Sequence, residues 1–139
     1  MPAGLDRLDG FRDALAVVGL EPAAIEDGSF TDEGGQRAMR RILDSGDLPD
    51  AIFVASDLMA RGAISVLNGA GIRVPDDIAI VGFDDSPVAT AVVPALTTMR
   101  QPSRRQGEVM AHVLLERLAG RPAKRITIMQ TELVIRDSA

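Results

Sequence analysis

The feature that most constrains the fold is a short apolar run at residues 78–81, which has turn residues on both sides. A wholly apolar run rich in β-branched residues is typical of a central parallel strand that is covered on both faces. Pro75 and two aspartates form a predicted turn before the strand, and Gly82 closes it. Asp84 and Asp85 follow at the carboxyl end of the strand, where open α/β sheets bind ligands. Capping of a local turn is the alternative role for these two carboxylates.

Helical and extended patterns alternate along the chain. Helices are predicted over residues 5–18, 32–43, 58–70 and 104–118. Extended segments are predicted over residues 23–26, 51–55, 78–82, 97–99, 125–129 and 131–135, and residues 86–96 are expected to form a loop or a short helix. This alternation predicts an α/β fold with an open, mainly parallel twisted sheet and helices on both faces.

The composition excludes several classes of function. The 139 residues suffice for one domain with a core, and the net charge of −5 argues against nucleic-acid binding by this segment itself. The chain has no cysteine, and its one histidine, His112, is expected at a surface or interface, so no metal site and no cofactor are predicted. No apolar run could span a membrane and no signal peptide is recognisable, so we expect a cytoplasmic protein without a membrane partner.

Parallel topology would bring several polar and aromatic side chains to one edge of the sheet. Phe30 follows strand 23–26, Ser56 and Asp57 follow strand 51–55, and Asp84 follows strand 78–82. Arg7 is expected in the first turn of the first helix, where a cation opposes the helix macrodipole, and this favours a ligand-binding role. A cation, a carboxylate, a hydroxyl and an aromatic ring together suit a polyhydroxylated small molecule.

Structural roles compete with ligand binding at two of these positions, and signals for catalysis are weak. Phe30 is alternatively a core residue. Either Ser56 or Asp57 is expected to cap the third helix, and a plain N-cap is the preferred role for Asp57. The chain has no nucleophile elbow, no phosphate-binding loop, no dinucleotide-binding glycine pattern and no paired histidines. Asp84 and Asp85 are adjacent on a turn, which does not place two carboxylates on either side of one bond. We therefore predict that the protein is not an enzyme.

Five blocks of sequence, in order along the chain, resemble one known family. Residues 7–15 match the pattern R-x-x-G-F-x-x-A-L, and residues 71–85 form the most specific block. The remaining blocks are residues 49–63, 94–102 and 131–138. Because the blocks extend in order from residue 7 to residue 138, the sequence is identified as a member of the lac/gal repressor (LacI/GalR-type) family of transcriptional regulators.

The resemblance implies the periplasmic-binding-protein-like type I fold, in which two α/β lobes enclose an effector cleft. It implies that residues 1–100 form the C-terminal lobe of the effector-binding domain. Residues 101–124 would cross into the N-terminal lobe and form a helix there, and residues 125–139 would return as closing strands. The N-terminal lobe and a helix-turn-helix domain are expected outside this sequence, so operator DNA would be bound only through that missing N-terminal domain.

The resemblance also implies a set of effector-binding residues, namely Arg7, Phe30, Ser56, Asp84 and Gln101. Ser56 departs from the family pattern, because a hydroxyl replaces the amide of the common A-N-D motif. Asp57 is implied to be chiefly structural, in agreement with its interpretation as a helix cap. The implied effector is a sugar or a related small polar metabolite.

Two classes of function are compatible with these observations. The first is the effector-sensing domain of a LacI-type DNA-binding regulator, in which the effector alters lobe closure and DNA binding by a dimer. The alternative is the solute-binding protein of a sugar ABC transporter, which shares the fold and the site. An enzyme or phospho-acceptor of flavodoxin-like fold that uses Asp84 is a weaker third interpretation.

Two expectations concern assembly. A homodimer is expected through the exposed side of helix 58–70, where Gly62 and Ala63 would allow close approach, and through the loop at residues 86–96. The apolar stripe of helix 104–118 is expected either to fold back on its own lobe or to pack against a second copy of the chain.

Overall fold

The computed structural model describes residues 2–122 and 126–139, which form five helices and four strands within those ranges. The helices are α1 (Pro2–Val17), α2 (Asp32–Asp44), α3 (Asp57–Gly69), α4 (Val88–Ala91) and α5 (Ser103–Leu118). The strands are β1 (Ala51–Phe53), β2 (Ala79–Asp84), β3 (Thr97–Arg100) and β4 (Glu132–Val134). The main helices and the central strands therefore lie where the sequence patterns predict them.

The four strands form one sheet in the order β1-β2-β3-β4. β1 pairs with β2 and β2 pairs with β3 in parallel, whereas β4 joins the edge of β3 antiparallel. The predicted open, mainly parallel sheet is confirmed. Because the first three strands run in the same direction, their carboxyl ends lie at one edge of the sheet.

Helices pack on both faces of the sheet, as predicted. On one face of β2, Gly82 lies so close to Leu96 and to Asp57 at the start of α3 that a Cβ atom would collide with both. The opposite face carries Phe53, whose ring stacks on Phe11 of α1 with 5.7 Å between the ring centroids. The pleat of the strands explains this division, because alternate residues point to opposite faces.

The core lies between the sheet and the α2–α3 pair. Its fully buried apolar side chains include Met39 of α2, Leu67 of α3, and Ile78, Ile80 and Leu96. α2 begins where expected, because the Thr31 side chain accepts a hydrogen bond of 2.9 Å from the amide of Gly34. Two acidic residues in its first turn further favour the amino end of a helix.

The strand predicted over residues 23–26 is not present. Residues 24–28 face β1 across an apolar cavity of about 330 Å³, and α1 covers this cavity. A strand needs a neighbouring backbone for its hydrogen bonds, and the described part of the sheet ends at β1 with no pairing to this segment. The segment predicted over residues 125–129 is also not a strand at residues 126–129, whereas residue 125 lies outside the described residues.

Two assembly expectations are corrected by the packing. Gly62 and Ala63 face the interior of the same lobe rather than a dimer partner: a Cβ on Gly62 would collide with the backbone of α2, and Ala63 belongs to the core. α5 does not fold back on the lobe, since none of its residues is buried and Met110, Leu114 and Leu118 are all more than half exposed. Packing of α5 against a second copy stays a prediction.

In the part of the chain that the structure describes, no helix combines the length and the apolarity that crossing a membrane requires.

Candidate functional site

Arg7 lies at the centre of a polar cluster at the carboxyl edge of the sheet. Its guanidinium donates a hydrogen bond to the carbonyl oxygen of Ala55, which follows β1. Its Nη2 atom lies 3.5 Å from Oδ1 of Asp84 at the end of β2, and the Arg7 side chain is only 15% exposed. α1 begins at Pro2, so Arg7 lies in the second turn and the macrodipole argument for its role does not apply. Its contacts instead support a ligand-binding position.

Two aromatic rings flank the Arg7 guanidinium. The guanidinium carbon lies 3.8 Å from the centroid of the Phe83 ring and 5.7 Å from that of Phe30. Both distances fall in the range of cation–π attraction. Phe83 was not among the predicted site residues, because the strand was expected to end at Gly82. The alternation of residues 79, 81 and 83 on one face of a longer strand was the signal that could have identified it.

Gln101 completes the cluster from the segment between β3 and α5. Its side-chain amide donates a 2.6 Å hydrogen bond to Oδ1 of Asp84. Burial raises the pKa of Asp84 above the ordinary aspartate value, and the Gln101 hydrogen bond and the Arg7 charge only partly oppose this effect. In residues 2–122 and 126–139, the hydrogen bonds and ion pairs of the Asp84 carboxylate involve Oδ1 alone. Oδ2 can therefore accept a hydrogen bond from a ligand.

Of the two adjacent residues that could cap α3, the structure uses Ser56 and gives Asp57 a different role. Ser56 is the N-cap of α3, and its hydroxyl oxygen accepts a hydrogen bond of 3.3 Å from the amide of Met59. The assignment of Asp57 as the cap is therefore wrong. Asp57 is fully buried, and it accepts hydrogen bonds from the amide of Ser86 at 2.7 Å and from the hydroxyl of Thr98 at 2.6 Å. Asp57 thus ties α3 to β3 and to the turn after Asp84.

The structure brings together four of the five predicted effector-binding residues, namely Arg7, Phe30, Asp84 and Gln101. Ser56 adjoins this cluster through Ala55, but its buried hydroxyl is engaged in capping α3. His112 on α5 is exposed, as expected. Among the described residues, no group of three or more His, Cys, Asp or Glu side chains has an arrangement that could hold a metal ion.

This arrangement offers the chemistry of a hydroxyl-binding site. Arg7 and Gln101 supply N–H donors, Asp84 supplies a carboxylate acceptor, and the rings of Phe30 and Phe83 supply apolar faces. The groups lie at the carboxyl ends of parallel strands, which is the usual ligand edge of an open α/β sheet. Fold and site together define the class as a ligand-binding α/β lobe.

Comparison with known proteins identifies the family. Residues 2–139 match the model of the periplasmic binding protein-like domain. The chain is 41% identical over 141 residues to the HTH-type transcriptional regulator CelR of Thermobifida fusca, an alignment that covers 99% of this chain and 42% of that protein. The chain therefore belongs to the periplasmic binding protein-like domain family, in the form found in LacI-type regulators. It spans about two fifths of the length of CelR.

Solved structures support the same assignment. The complex of the transcriptional regulator CelR with cellobiose superimposes with a TM-score of 0.90 and 40% identity, covering 98% of this chain and 42% of that one. The dimeric Lac repressor with an 11-residue C-terminal deletion superimposes with a TM-score of 0.93 and 31% identity, covering 98% of this chain and 50% of that one. Both neighbours are regulators rather than enzymes.

Proposed function

We infer that this chain is the effector-sensing part of a LacI-type DNA-binding transcriptional regulator, and that its effector is a sugar. The observation that carries the proposal is the cluster in which Asp84 is bonded to Gln101 and faces the Arg7 guanidinium, with two phenylalanine rings alongside. The sugar bound in the CelR structure is cellobiose, and it supplies a concrete candidate ligand. No catalytic role is assigned to any residue.

The binding chemistry follows from the charges at this edge. The Asp84 carboxylate accepts hydrogen bonds from sugar hydroxyls, and an ionised acceptor makes such bonds roughly twice as strong as neutral ones. Arg7 and Gln101 donate to the hydroxyl oxygens that Asp84 does not engage. Phe30 and Phe83 cover the apolar C–H face of the sugar ring and keep Arg7 in place by cation–π contact.

Sensing requires a second lobe and a partner. We assign residues 1–100 to the C-terminal lobe, residues 101–124 to the crossover and helix of the other lobe, and residues 125–139 to the closing segment. The effector would favour one closure state of the two lobes and thereby change how a homodimer presents its DNA-binding domains. Exposed apolar residues such as Val93, next to α4, are available to the dimer interface. A DNA-binding regulator of this kind works in the cytoplasm.

The first experiment tests the anchor of the sugar. In the full-length regulator, Asp84→Ala should weaken cellobiose binding by about 1.5–3 kcal/mol, which corresponds to roughly 10- to 150-fold in affinity. Isothermal calorimetry provides the measurement, and Asp76→Ala is the control because Asp76 lies in the exposed turn before β2. Unchanged affinity in Asp84→Ala would remove Asp84 from the site.

The second experiment separates a regulator from a solute-binding protein of a sugar transporter, which has the same fold and the same site chemistry. Fluorescence anisotropy with labelled DNA from upstream of the protein's own gene should report binding, and cellobiose should change that affinity. A full-length protein that binds the sugar but no DNA would instead be a solute-binding protein. The names of the relatives favour the regulator.

A further inference from the structure

Two consecutive aspartates at the end of β2 have left-handed backbone conformations. The φ angle is +119° at Asp84 and +53° at Asp85. Residues other than glycine are strained in this region and keep such a conformation only where the surrounding structure holds them there. The direction of the Asp84 carboxylate depends on this backbone, so the groups that hold Asp85 bear directly on the candidate site.

Asp85 does not share the partners of Asp84. Its carboxylate is 10% exposed and accepts hydrogen bonds from Arg136 at 2.5 Å and from Arg100 at 2.6 Å. Burial alone would raise the pKa of Asp85, but the hydrogen bonds from Arg136 and Arg100 outweigh it and hold the pKa below the ordinary range. Asp85 is therefore an ionised side chain in a charge-assisted network.

The two arginines contribute unequally. Arg100 is about half exposed and divides its guanidinium between Asp85 and the exposed carboxylate of Glu132. The pair with Glu132 is largely exposed, and pairs of that kind contribute little to stability. Arg136 is only 17% exposed, and its other guanidinium nitrogen donates to the carbonyl oxygen of Leu96 at 2.7 Å. Arg136 is thus the more buried of the two arginines, and both of its terminal guanidinium nitrogens are hydrogen-bonded within the lobe.

The backbone around Arg136 is itself fastened to the central strands. The amide of Arg136 donates to the hydroxyl of Thr97 on β3 at 2.9 Å. Two residues later, the hydroxyl of Ser138 donates to the carbonyl of Ile80 on β2 at 2.6 Å and accepts from the amide of Thr97 at 2.8 Å. Arg136 therefore extends from a segment that is fixed to both β2 and β3.

We propose that Arg136 is a positioning residue for the ligand: its ion pair with Asp85 holds the strained turn that aims the Asp84 carboxylate into the candidate site. The proposal rests on the proposed function of Asp84 as a sugar acceptor. Arg136 acts through Asp85, because its guanidinium bonds to Asp85 and to the Leu96 carbonyl rather than to Asp84. Loss of the pair would let Asp84 relax to a common backbone conformation and turn its carboxylate away from Gln101.

The binding test uses the full-length regulator with cellobiose as the probe. Arg136→Met, which keeps the length of the side chain but removes its charge, should weaken binding about tenfold, within the range for residues that share a network. Arg136→Lys should recover part of the loss because it restores the charge. The matched control is Arg73→Met, since Arg73 pairs with Asp76 and Asp77 in the exposed turn before β2. The control should bind as the wild type does.

A double-mutant cycle distinguishes positioning from general loosening of the fold. In the Asp84→Ala background, Arg136→Met should cause little further loss, because the group that it positions is already gone. Equal losses in the two backgrounds would show a merely structural role and overturn the proposal. If Arg136→Met does not fold, the same cycle is run with Arg136→Lys. This variant should lose less cellobiose affinity, and that loss should also disappear in the Asp84→Ala background.

A ligand-free measurement keeps this proposal separate from the proposed function. In protein labelled with carbon-13 at aspartate, Arg136→Met or Arg136→Lys should shift the carboxyl signal of Asp84, whereas Arg73→Met should not. If the wild type binds no cellobiose, the choice of sugar fails, and the Asp84 signal alone decides the positioning role. An Asp84 signal that is unchanged in both Arg136 variants would overturn it.

Discussion

The contact between α2 and α3 leaves no room for a side chain at Gly62, and this makes a quantitative prediction. A Cβ atom at Gly62 would lie less than 3.0 Å from the carbonyl oxygen of Asp32, a separation that real Cβ atoms essentially never show. It would also lie 3.0 Å from the amide nitrogen of Gln36. Both atoms belong to the backbone of α2, so the clash cannot be relieved by moving a flexible side chain. Gly62→Ala must instead push the two helices apart.

The expected change in the free energy of unfolding for Gly62→Ala follows from two opposing effects. Adding a methyl group to a packed interface costs about 1–3 kcal/mol, and the backbone position of the clash favours the upper end of that range. Alanine in place of glycine within a helix restores about 1 kcal/mol. The net expectation is a loss of roughly 2 kcal/mol in the free energy of unfolding. For a domain of this size, that corresponds to a fall of about 6–10 °C in Tm.

The matched control lies in the same helix. Gly69 is the last residue of α3, and a Cβ atom there would meet nothing within 4 Å. Gly69→Ala should therefore leave the free energy of unfolding unchanged or raise it by up to about 1 kcal/mol. Urea titration followed by circular dichroism measures both variants. The packing argument is refuted if Gly62→Ala is as stable as the wild type, or if Gly69→Ala is destabilised to the same extent.

Three further predictions concern the site and its support. Asp57→Ala should lower the free energy of unfolding by roughly 3–5 kcal/mol, because the Ser86 amide and the Thr98 hydroxyl lose a charged acceptor. Asp57→Asn should lower the free energy of unfolding by less. Equal losses of stability for the two variants in urea titration would contradict this. Cellobiose affinity should fall as the pH is lowered through the raised pKa of Asp84, because protonation removes the negative charge that makes this carboxylate a strong acceptor. A calorimetric midpoint at or below 3.8 would contradict this. Arg7→Lys should weaken cellobiose binding about tenfold, because an ammonium group, unlike the planar guanidinium, cannot both stack on the Phe83 ring and donate two parallel hydrogen bonds. Wild-type affinity of this variant in calorimetry would contradict this.

The order of the elements was predictable because it depends on local physics. The apolar run at residues 78–81 lies in the central part of the sheet, and α2 begins at residue 32 as predicted, with Thr31 as its cap. Such patterns report the preferences of backbone and side chains within a few residues of each other. Parallel topology correctly placed Asp84 at the carboxyl edge of the sheet. Arg7 and Phe30 also lie there, although the strand expected before Phe30 is absent and Arg7 is in the second turn of α1.

Where two adjacent residues are equally suited to the same local role, the tertiary structure determines which of them takes it. Ser56 and Asp57 are adjacent and either can cap a helix, so the local sequence does not choose between them. Ser56 takes the cap because its backbone is extended there, while Asp57 is directed toward the Ser86 amide and the Thr98 hydroxyl. Those two donors lie 29 and 41 positions away in the sequence, so only the folded chain brings them to Asp57.

Strand formation and ion pairing depend on distant neighbours in the same way. Residues 23–26 have a weak strand pattern, but they pair with no strand among the described residues, and no sequence pattern reports the distance to a partner strand. The sequence placed Asp85 at a turn, yet its ion pair with Arg136 joins residues 51 positions apart. Preferences for strands, helices and caps can be predicted from the sequence because they depend on residues close to each other along the chain. The pairing of polar groups cannot be predicted in this way, because it depends on the register and packing of the sheet.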